Sequence, residues 1–374
     1  MKHLKHGGSV ATRDFGCGGW HDVSKDLPKQ TSSPAARKGS MHHMVQEHCR
    51  NTEDMPEDCV GMVYKEDGHE HEFTEDDLLL SNIAYNATEK ILDKYDIDEM
   101  EIEPFVQYIP DLSGGSIDLL CLSADGKTLV VVDYKFGRGR VEVKESAQHG
   151  VYTISSRADK KTADLWKKVK KIVFVIIQPQ LKGTTFLWET TPKFIDNFER
   201  RYKIALDSDE VVSGPHCNWC PAAATCPVRR ADVVGAIQLG ARAKKELQIG
   251  ADILEEVEDW VASMKAELFT QLTRGTSIKG WKIVEKKASR KWYDPKAAED
   301  ELRKAKINPS IFTRTTILTA PQTATAFKKN NIKFDLNELI EIKSSGTTLA
   351  PEHDERDAIR AEKIPANLKK LVNA

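Results

Sequence analysis

The chain has 374 residues, 40% apolar and 30% charged, with a formal net charge of −2. This composition is globular, long enough for two or three domains, and excludes a disordered polyelectrolyte. The near-neutral charge excludes a generally basic nucleic-acid coat but leaves room for a local basic groove.

No run of about 18 apolar residues is present, so no transmembrane helix is expected. The opening "MKHLKHGGSVATRDFG" lacks the apolar segment of a secretory signal, and the expected compartment is a reducing cytoplasm. Residues 1–38 are rich in Gly, Ser, Lys and Pro and read as irregular. A helix is predicted from near Pro34 through "AARKGSMHHMVQEHC", which sets His43 and Glu47 one turn apart on one face. A second helix is capped by Thr74, with Leu79, Ile83, Ala87 and Ile91 as its apolar stripe. The period then changes to two. "EIEPFVQYI", "SIDLLCLS" and "TLVVVDYK" read as strands, with "ADGK" as the hairpin turn joining the last two.

A helix over roughly Lys144–Arg157 follows, then the basic stretch "ADKKTADLWKKVKK" and the buried strand "IVFVIIQP". "GTTFLWET" is a further strand, and Pro192 starts the next helix. The expected fold class is therefore α/β, a mixed sheet flanked by helices, with a helical and mixed C-terminal extension. Beyond it, "ELQIGADILEEVEDWVASMKAELFTQLTRG" is a long amphipathic helix and "IKGWKIVEKKASRKWYD" a strand or small hairpin. The expected divisions are 1–232, 233–345, and a poorly ordered tail over 346–374.

The stretch "VVVDYKFGRGR" ends an apolar strand on an acid and a base two residues apart. Side chains two apart share a face, so Asp133 and Lys135 converge. Asp118 interrupts the preceding strand in the same way, and positions 118 and 133 are symmetric about Asp125-Gly126 in the turn. The two acids are expected to be cross-strand neighbours at one end of the sheet. Two adjacent carboxylates repel, and Mg²⁺ relieves them while keeping several waters. Such an ion polarises a phosphoryl oxygen and lowers the pKa of a water, which is the chemistry of phosphodiester hydrolysis. A D-x-K by itself is short and common, and also reads as a strand-end ion pair. His43 is a further candidate ligand or one of a surface histidine pair. Gln148 and Tyr152 lie one helical turn apart, and both can hydrogen-bond to a phosphate or to the lysine.

The order Gly39-x-x-x-His43, Gly115-x-x-Asp118, Asp133-Tyr-Lys135, Gln148-x-x-x-Tyr152 resembles the PD-(D/E)XK nucleases of the RecB type. These include the RecB and AddB nuclease domains and the CRISPR-associated exonucleases that carry an iron–sulfur cluster. The resemblance covers roughly residues 10–230 and implies a restriction-endonuclease-like core. It implies metal roles for His43, Asp118, Asp133 and the Tyr134 carbonyl, a catalytic role for Lys135, and DNA-site roles for Gln148 and Tyr152. A phage family of RecB-like proteins is similar in "DYKFGRG" and also in "GWKIVEKKASRKW" and "GTTLAPEHDERDAI" of the C-terminal part.

Among the seven cysteines, Cys217, Cys220 and Cys226 form a tight group in "HCNWCPAAATCP". In a reducing compartment such a group reads as metal-binding. His216 can complete a Cys₃His zinc site, or a distant cysteine can complete a [4Fe–4S] site. The resemblance implies the latter, with Cys17 of "DFGCGGW" as the fourth ligand, so that the cluster staples the two ends of the nuclease domain. The phage family carries Cys-Pro-Gly where this chain has Cys17-Gly-Gly.

For DNA, the expected contacts are Arg138, Arg140 and the run Lys160–Lys171 with Trp166 for base stacking, the run also reading as a solvated face. Trp219 is expected to pack around the cysteines. The function expected from the whole is a Mg²⁺- or Mn²⁺-dependent DNA exonuclease, phage-encoded and acting in replication, recombination or degradation in the host bacterial cytoplasm. Water would attack a phosphate in line, oriented by Lys135. The alternatives are a catalytically weak DNA-binding subunit recruiting a single-strand-binding protein or recombinase, and a C-terminal interaction module within a larger complex. No membrane role is expected, and the oligomeric state is open.

Overall fold

A computed structural model of the chain describes residues 4–27, 32–66, 68–239, 254–286, 288–313, 317–343, 346–351 and 354–359. The chain divides after Ser263 into two units, against an expected boundary after residue 232. The stretch expected to be irregular contains a short strand, β1 (His6–Gly7), and two short helices, α1 (Ala11–Gly16) and α2 (Trp20–Ser24). Helix α3 (Pro34–Thr52) starts where Pro34 predicts, with the Ser33 hydroxyl accepting from the Ala36 amide. A hairpin of β2 (Val63–Glu66) and β3 (His69–Glu72) leads into α4 (Glu75–Lys94). At the α4 cap, Asp77 Oδ2 accepts from Thr74 N and Oγ1 at 3.1 and 2.9 Å. The expected α4 stripe is shifted: Leu79 is 68% exposed, while Ala84, Ala87 and Ile91 are buried. Leu79 and Ala84 sit five positions apart, well off one helical face, so the helix follows Ala84, Ala87 and Ile91 to the sheet.

The strands that follow are β4 (Ile97–Ile102), β5 (Phe105–Ile109), β6 (Ser113–Ser116), β7 (Leu119–Ser123) and β8 (Thr128–Tyr134). Helix α5 (Ala147–Ala158), β9 (Lys171–Ile177), β10 (Thr185–Thr190) and α6 (Pro192–Leu206) complete the core. The main sheet has the order β10-β9-β8-β7-β4. β8 and β9 are parallel, joined through α5, and the other neighbours are antiparallel. Each of these two central strands is buried along almost its whole length, which is why both read as unbroken apolar runs. Val130, Val132, Val173 and Val175 meet Ala84, Ala87 and Ile91 of α4 on one face. Val131, Phe174 and Ile176 meet Val151 and Ile154 of α5 and Phe198 of α6 on the other. The unit is thus a mixed α/β sheet covered by helices on both sides.

Two expected strands are each split in two. "EIEPFVQYI" breaks at Glu103-Pro104 and "SIDLLCLS" at Ile117-Asp118. The first halves and second halves still belong to one long hairpin: Ile102 faces Leu119, and the same register carries Val106 to Gly115. Pro104 has no N–H to give the ladder. The hairpin bends there, and its far part, β5 and β6, forms a second small sheet with β1 parallel to β6.

In the second unit, Trp281–Glu285 pairs antiparallel with Thr347–Pro351, and Ser289–Trp292 with Ile340–Lys343. The expected hairpin within "IKGWKIVEKKASRKWYD" is therefore two strands with separate partners. Part of the expected tail, Thr347–Pro351, is a paired strand instead, because Leu349 and Ala350 lie opposite Ile283 and Lys282. Residues 360–374 of that tail lie outside the described residues. Trp292, Leu302, Phe312 and Phe327 form this unit's apolar core. Of the predicted long helix, Leu254–Thr273 is described. Among the described residues, no helix is long and apolar enough to cross a membrane.

Candidate active site

The main-sheet register is what assembles the site. Leu119 faces Val132 across β7 and β8, and one further step sets Asp118 against Asp133. The β4–β7 register, one step beyond Ile102 and Leu119, sets Glu103 against Asp118, and Glu103 N donates to Asp118 O at 3.1 Å. Three neighbouring strands therefore each end on a carboxylate at the same edge. Asp133 is 2% exposed and Asp118 8%.

His43, on α3, brings Nδ1 to 3.2 Å from Asp118 Oδ1. Its neighbour His42 faces inward, bonded to Ser81 Oγ at 2.8 Å and stacked on Phe136, and burial lowers its pKa to about 4. The helix thus divides the His42-His43 pair into a core residue and a site residue. His43, Glu103 and Asp118 each offer a ligand atom, and these atoms lie within 4.8 Å of one another. The Tyr134 amide donates to Asp118 Oδ2 at 2.5 Å. The Tyr134 ring points away into the core, where its hydroxyl meets Thr88 Oγ1 at 2.8 Å, so only its main chain faces the acids.

Lys135 Nζ lies 2.5 Å from Asp133 Oδ2. The other oxygen, Oδ1, accepts from Gln148 Nε2 at 2.9 Å, and Gln148 also donates to the Tyr152 hydroxyl at 2.9 Å. These six residues, His43, Asp118, Asp133, Lys135, Gln148 and Tyr152, line one cleft of about 530 Å³. Gly7, Gly8 and Ser9 line it too, packed beside Tyr152. A Cβ on Gly8 would stand 2.4 Å from the Tyr152 ring, so only glycine lets this segment approach that closely.

The charges are strongly interdependent. Burial, then the Asp118 carboxylate, pushes Glu103 up to about 8. Burial opposes ionisation of Asp118 too, but His43, Lys135 and the Tyr134 amide hold it below the usual carboxylate range. Burial also opposes charge on His43, and Asp118 outweighs it and raises the imidazole above its usual value. Tyr152 is raised well above a free phenol by burial and by Asp133 and Asp118.

Glu103 was not among the residues singled out from the sequence. The same hairpin symmetry that paired Asp118 with Asp133 pairs 103 with 118 about Pro110-Asp111, but reading "EIEPFVQYI" as one strand hid it. Glu103 also carries a left-handed backbone, φ 49°, an uncommon conformation for a residue with a side chain. Arg138 and Arg140 are not among the cleft residues: Arg138 donates to Gln180 Oε1 at 3.0 Å and Arg140 lies over Phe186. Trp166 donates to Ser156 Oγ and packs against the core, which suits it to packing more than to base stacking. Trp219, expected to pack around the cysteines, is 82% exposed. Its main chain, not its ring, is engaged: the carbonyl accepts from Arg13.

The segment before the core sheet meets the segment after α6 at Cys17. The Val212 amide donates to Cys17 Sγ at 3.4 Å, and Gly19 N donates to Glu210 O at 2.9 Å. Cys217 and Cys226 lie close enough to raise the Cys17 thiol, after burial, and Cys17 and Cys217 do the same to Cys220. Burial also works against the Cys217 thiolate, but His216, a backbone hydrogen bond donated by Gly214, and Arg229 bring its pKa below the usual thiol value. A Cβ on Gly18 would stand 2.2 Å from the Ser208 carbonyl oxygen, which explains glycine directly after Cys17.

No curated protein matches the chain. Among solved structures it aligns with LHK-Exo in complex with dAMP, at 12% identity over 53% of this chain and 89% of that one, TM-score 0.24. It aligns likewise with the alkaline exonuclease LHK-Exo from Laribacter hongkongensis, at 12% identity over 53% and 90%, TM-score 0.23. A third is the structure of SSO0001, at 9% identity over 59% and 95%, TM-score 0.23. These TM-scores are too low to establish a shared fold. The family described as "Protein of unknown function (DUF2800)" matches residues 3–357, nearly the whole chain, and the protein is a member of that family.

Proposed function

We propose that the protein is a divalent-metal-dependent deoxyribonuclease with a PD-(D/E)XK core, acting as an exonuclease. The observation that carries this is the in-register row of Glu103, Asp118 and Asp133 at one sheet edge, with Lys135 against Asp133 in an open cleft. Buried carboxylates held this close are costly without a counter-charge. The protonated tendency of Glu103 is the sign of that cost, so the residues fit a Mg²⁺ or Mn²⁺ ion. Asp118, Asp133, Glu103, His43 and the Tyr134 carbonyl would hold it. A bound ion would polarise the scissile phosphoryl group and acidify a water. Lys135 would orient the attacking water and offset charge on the phosphate, with its ammonium steadied by Asp133. Gln148 would fix Asp133, and Tyr152, kept protonated by its surroundings, would donate to a phosphate oxygen. The complete acid–lysine set weighs against a recruitment subunit that has lost catalysis.

Cys17, Cys217, Cys220 and Cys226 would hold a [4Fe–4S] cluster that ties the segment before the core to the segment after it. Four cysteine thiolates are the ligand set of such a cluster, and a tetrahedral zinc takes the same four. Cys17→Ser is expected to remove the visible charge-transfer absorbance of anaerobically purified protein and to lower its melting temperature. Colourless wild-type protein containing zinc would replace the cluster with a zinc site. The sequence resemblance supports a phage enzyme working on DNA ends during replication, recombination or degradation in a bacterial cytoplasm.

The decisive assay incubates end-labelled DNA and Mn²⁺ with wild type, Asp133→Ala and Lys135→Ala. Nucleotide release by the wild type alone is the expected result. Equal release, or none by any of the three, rejects the nuclease reading. Linear against covalently closed circular DNA separates exonuclease from endonuclease action.

A further inference from the structure

Outside the cleft, a second group of metal-type ligands converges at the start of the chain: His6 on β1, Asp14 on α1 and His21 on α2. Three local elements are folded around them. Asp14 Oδ1 lies 3.1 Å from His6 Nδ1 and 3.6 Å from His21 Nε2. His6 is 8% exposed and Asp14 3%. Despite their proximity, His6 Nδ1, His21 Nε2 and Asp14 Oδ2 are buried atoms without a hydrogen bond of acceptable geometry. The two imidazoles lean on the Asp14 carboxylate and help to lower its pKa against burial, yet the group leaves polar atoms without a well-formed bond, and buried polar groups in native interiors are nearly always partnered.

We propose that His6, Asp14 and His21 hold a four-coordinate divalent transition ion of the zinc class, with a water as the fourth ligand, in a site that serves the fold rather than the cleft chemistry. Zinc bonds of about 2.0–2.1 Å to nitrogen and oxygen put tetrahedral ligand atoms roughly 3.3 Å apart, and the two measured separations bracket that value. Two imidazoles and one carboxylate are a zinc-class donor set, in contrast to the carboxylate-rich cleft, which suits Mg²⁺ or Mn²⁺. The outer groups of a metal site are also in place. Trp20 Nε1 donates to Asp14 Oδ1 at 2.8 Å, and its indole lies tilted against the His21 ring with centroids 3.6 Å apart, restraining both ligands.

The position gives the ion a role. His6 precedes Gly7, Gly8 and Ser9, which line the cleft beside Tyr152. β1 is only two residues long and pairs only through His6–Ser113 and Gly7–Gly114, so its own ladder holds it weakly. An ion bridging it to α1 and α2 would pin that lining.

The test is metal content of the full chain after exhaustive dialysis, for wild type, Asp14→Asn, His21→Gln and Asp118→Asn. Wild type and Asp118→Asn are expected to keep one more zinc per chain than Asp14→Asn and His21→Gln. Cobalt substitution distinguishes this site from the cysteines: its visible bands should vanish in His21→Gln while any thiolate charge-transfer band stays. His21 is partly solvent-accessible, so His21→Gln is expected to remain folded by circular dichroism even if Asp14→Asn does not. Folded His21→Gln retaining the wild-type zinc content and cobalt spectrum overturns the proposal, as does wild type that binds no zinc outside the cysteines. Neither outcome touches the nuclease reading, which is judged on DNA cleavage.

Discussion

Asp118→Asn is expected to reduce Mn²⁺-dependent DNA cleavage by about a thousandfold or more, since charge stabilisation by the ion is worth several kcal/mol and each 1.36 kcal/mol is tenfold in rate. Asp118 is the centre of the row: it contacts His43, the Tyr134 amide and Glu103. Asparagine keeps the shape and can still accept from the Tyr134 amide, so the fold should survive. What goes is the negative charge. Without it the His43 imidazole loses the partner that raises its pKa, and Glu103 loses the like charge that, after burial, pushes it up. The readouts are cleavage rate, ion affinity by calorimetry, and the His43 titration by NMR. Cleavage within tenfold of wild type would remove Asp118 from the chemistry. A lowered rate with unchanged ion affinity would assign it a role other than holding the ion.

Glu103→Gln is expected to change how the protein responds to pH. In the ion-free protein Glu103 is pushed up to about 8, against an ordinary value near 4.5. At pH 7 it therefore holds a proton that an incoming cation must displace, so binding should release close to one proton from Glu103, in addition to what the raised His43 gives up. Ion affinity should rise with pH up to about 8 and then level off. In the glutamine variant the proton release should fall and the affinity should depend less on pH. Calorimetry in buffers of different ionisation enthalpy measures this directly. Stability runs the other way. Between about 4.5 and 8 the folded, ion-free state binds more protons than the unfolded chain, so this group destabilises increasingly as pH rises. His43, also raised, adds to that fall: its contribution is full below about 6.5 and is lost as pH passes its folded value. Wild-type melting temperature without metal should therefore drop from pH 5 to pH 8, more steeply than in Glu103→Gln. Saturating Mn²⁺ should reverse the trend. Identical profiles for the two proteins would show that Glu103 does not hold the proton.

Much of the first unit was legible because its cues are local. Ser33-Pro34 and Thr74 with Asp77 start helices by satisfying amides within four residues of themselves. The unbroken apolar runs of β8 and β9 report burial on both faces. The "ADGK" turn sets the β7–β8 register by counting alone, and with it the pairing of Asp118 and Asp133. Those properties of the site were determined by the sequence: which strand ends carry acids, where the lysine falls, and that Gln148 and Tyr152 share a helical face.

The rest depended on contacts between segments far apart in the chain. The bend at Glu103-Pro104 belongs to a long hairpin whose arms serve two sheets, and no local period signals a strand that changes sheet. That bend is what delivers Glu103 to the site. His43 rather than His42 faces the cleft because α3 presents its other side to Phe136 and Ser81. Arg138 turns to Gln180 because β8 and β9 are neighbours, a pairing set by the α5 crossover. The exposed Leu79 and Trp219, and the strand at Thr347–Pro351, likewise follow from which surfaces found partners. Composition and spacing settle which residues can do chemistry. Only the packed chain decides which of them meet, because burial and charge coupling are properties of neighbours that the linear order does not place together.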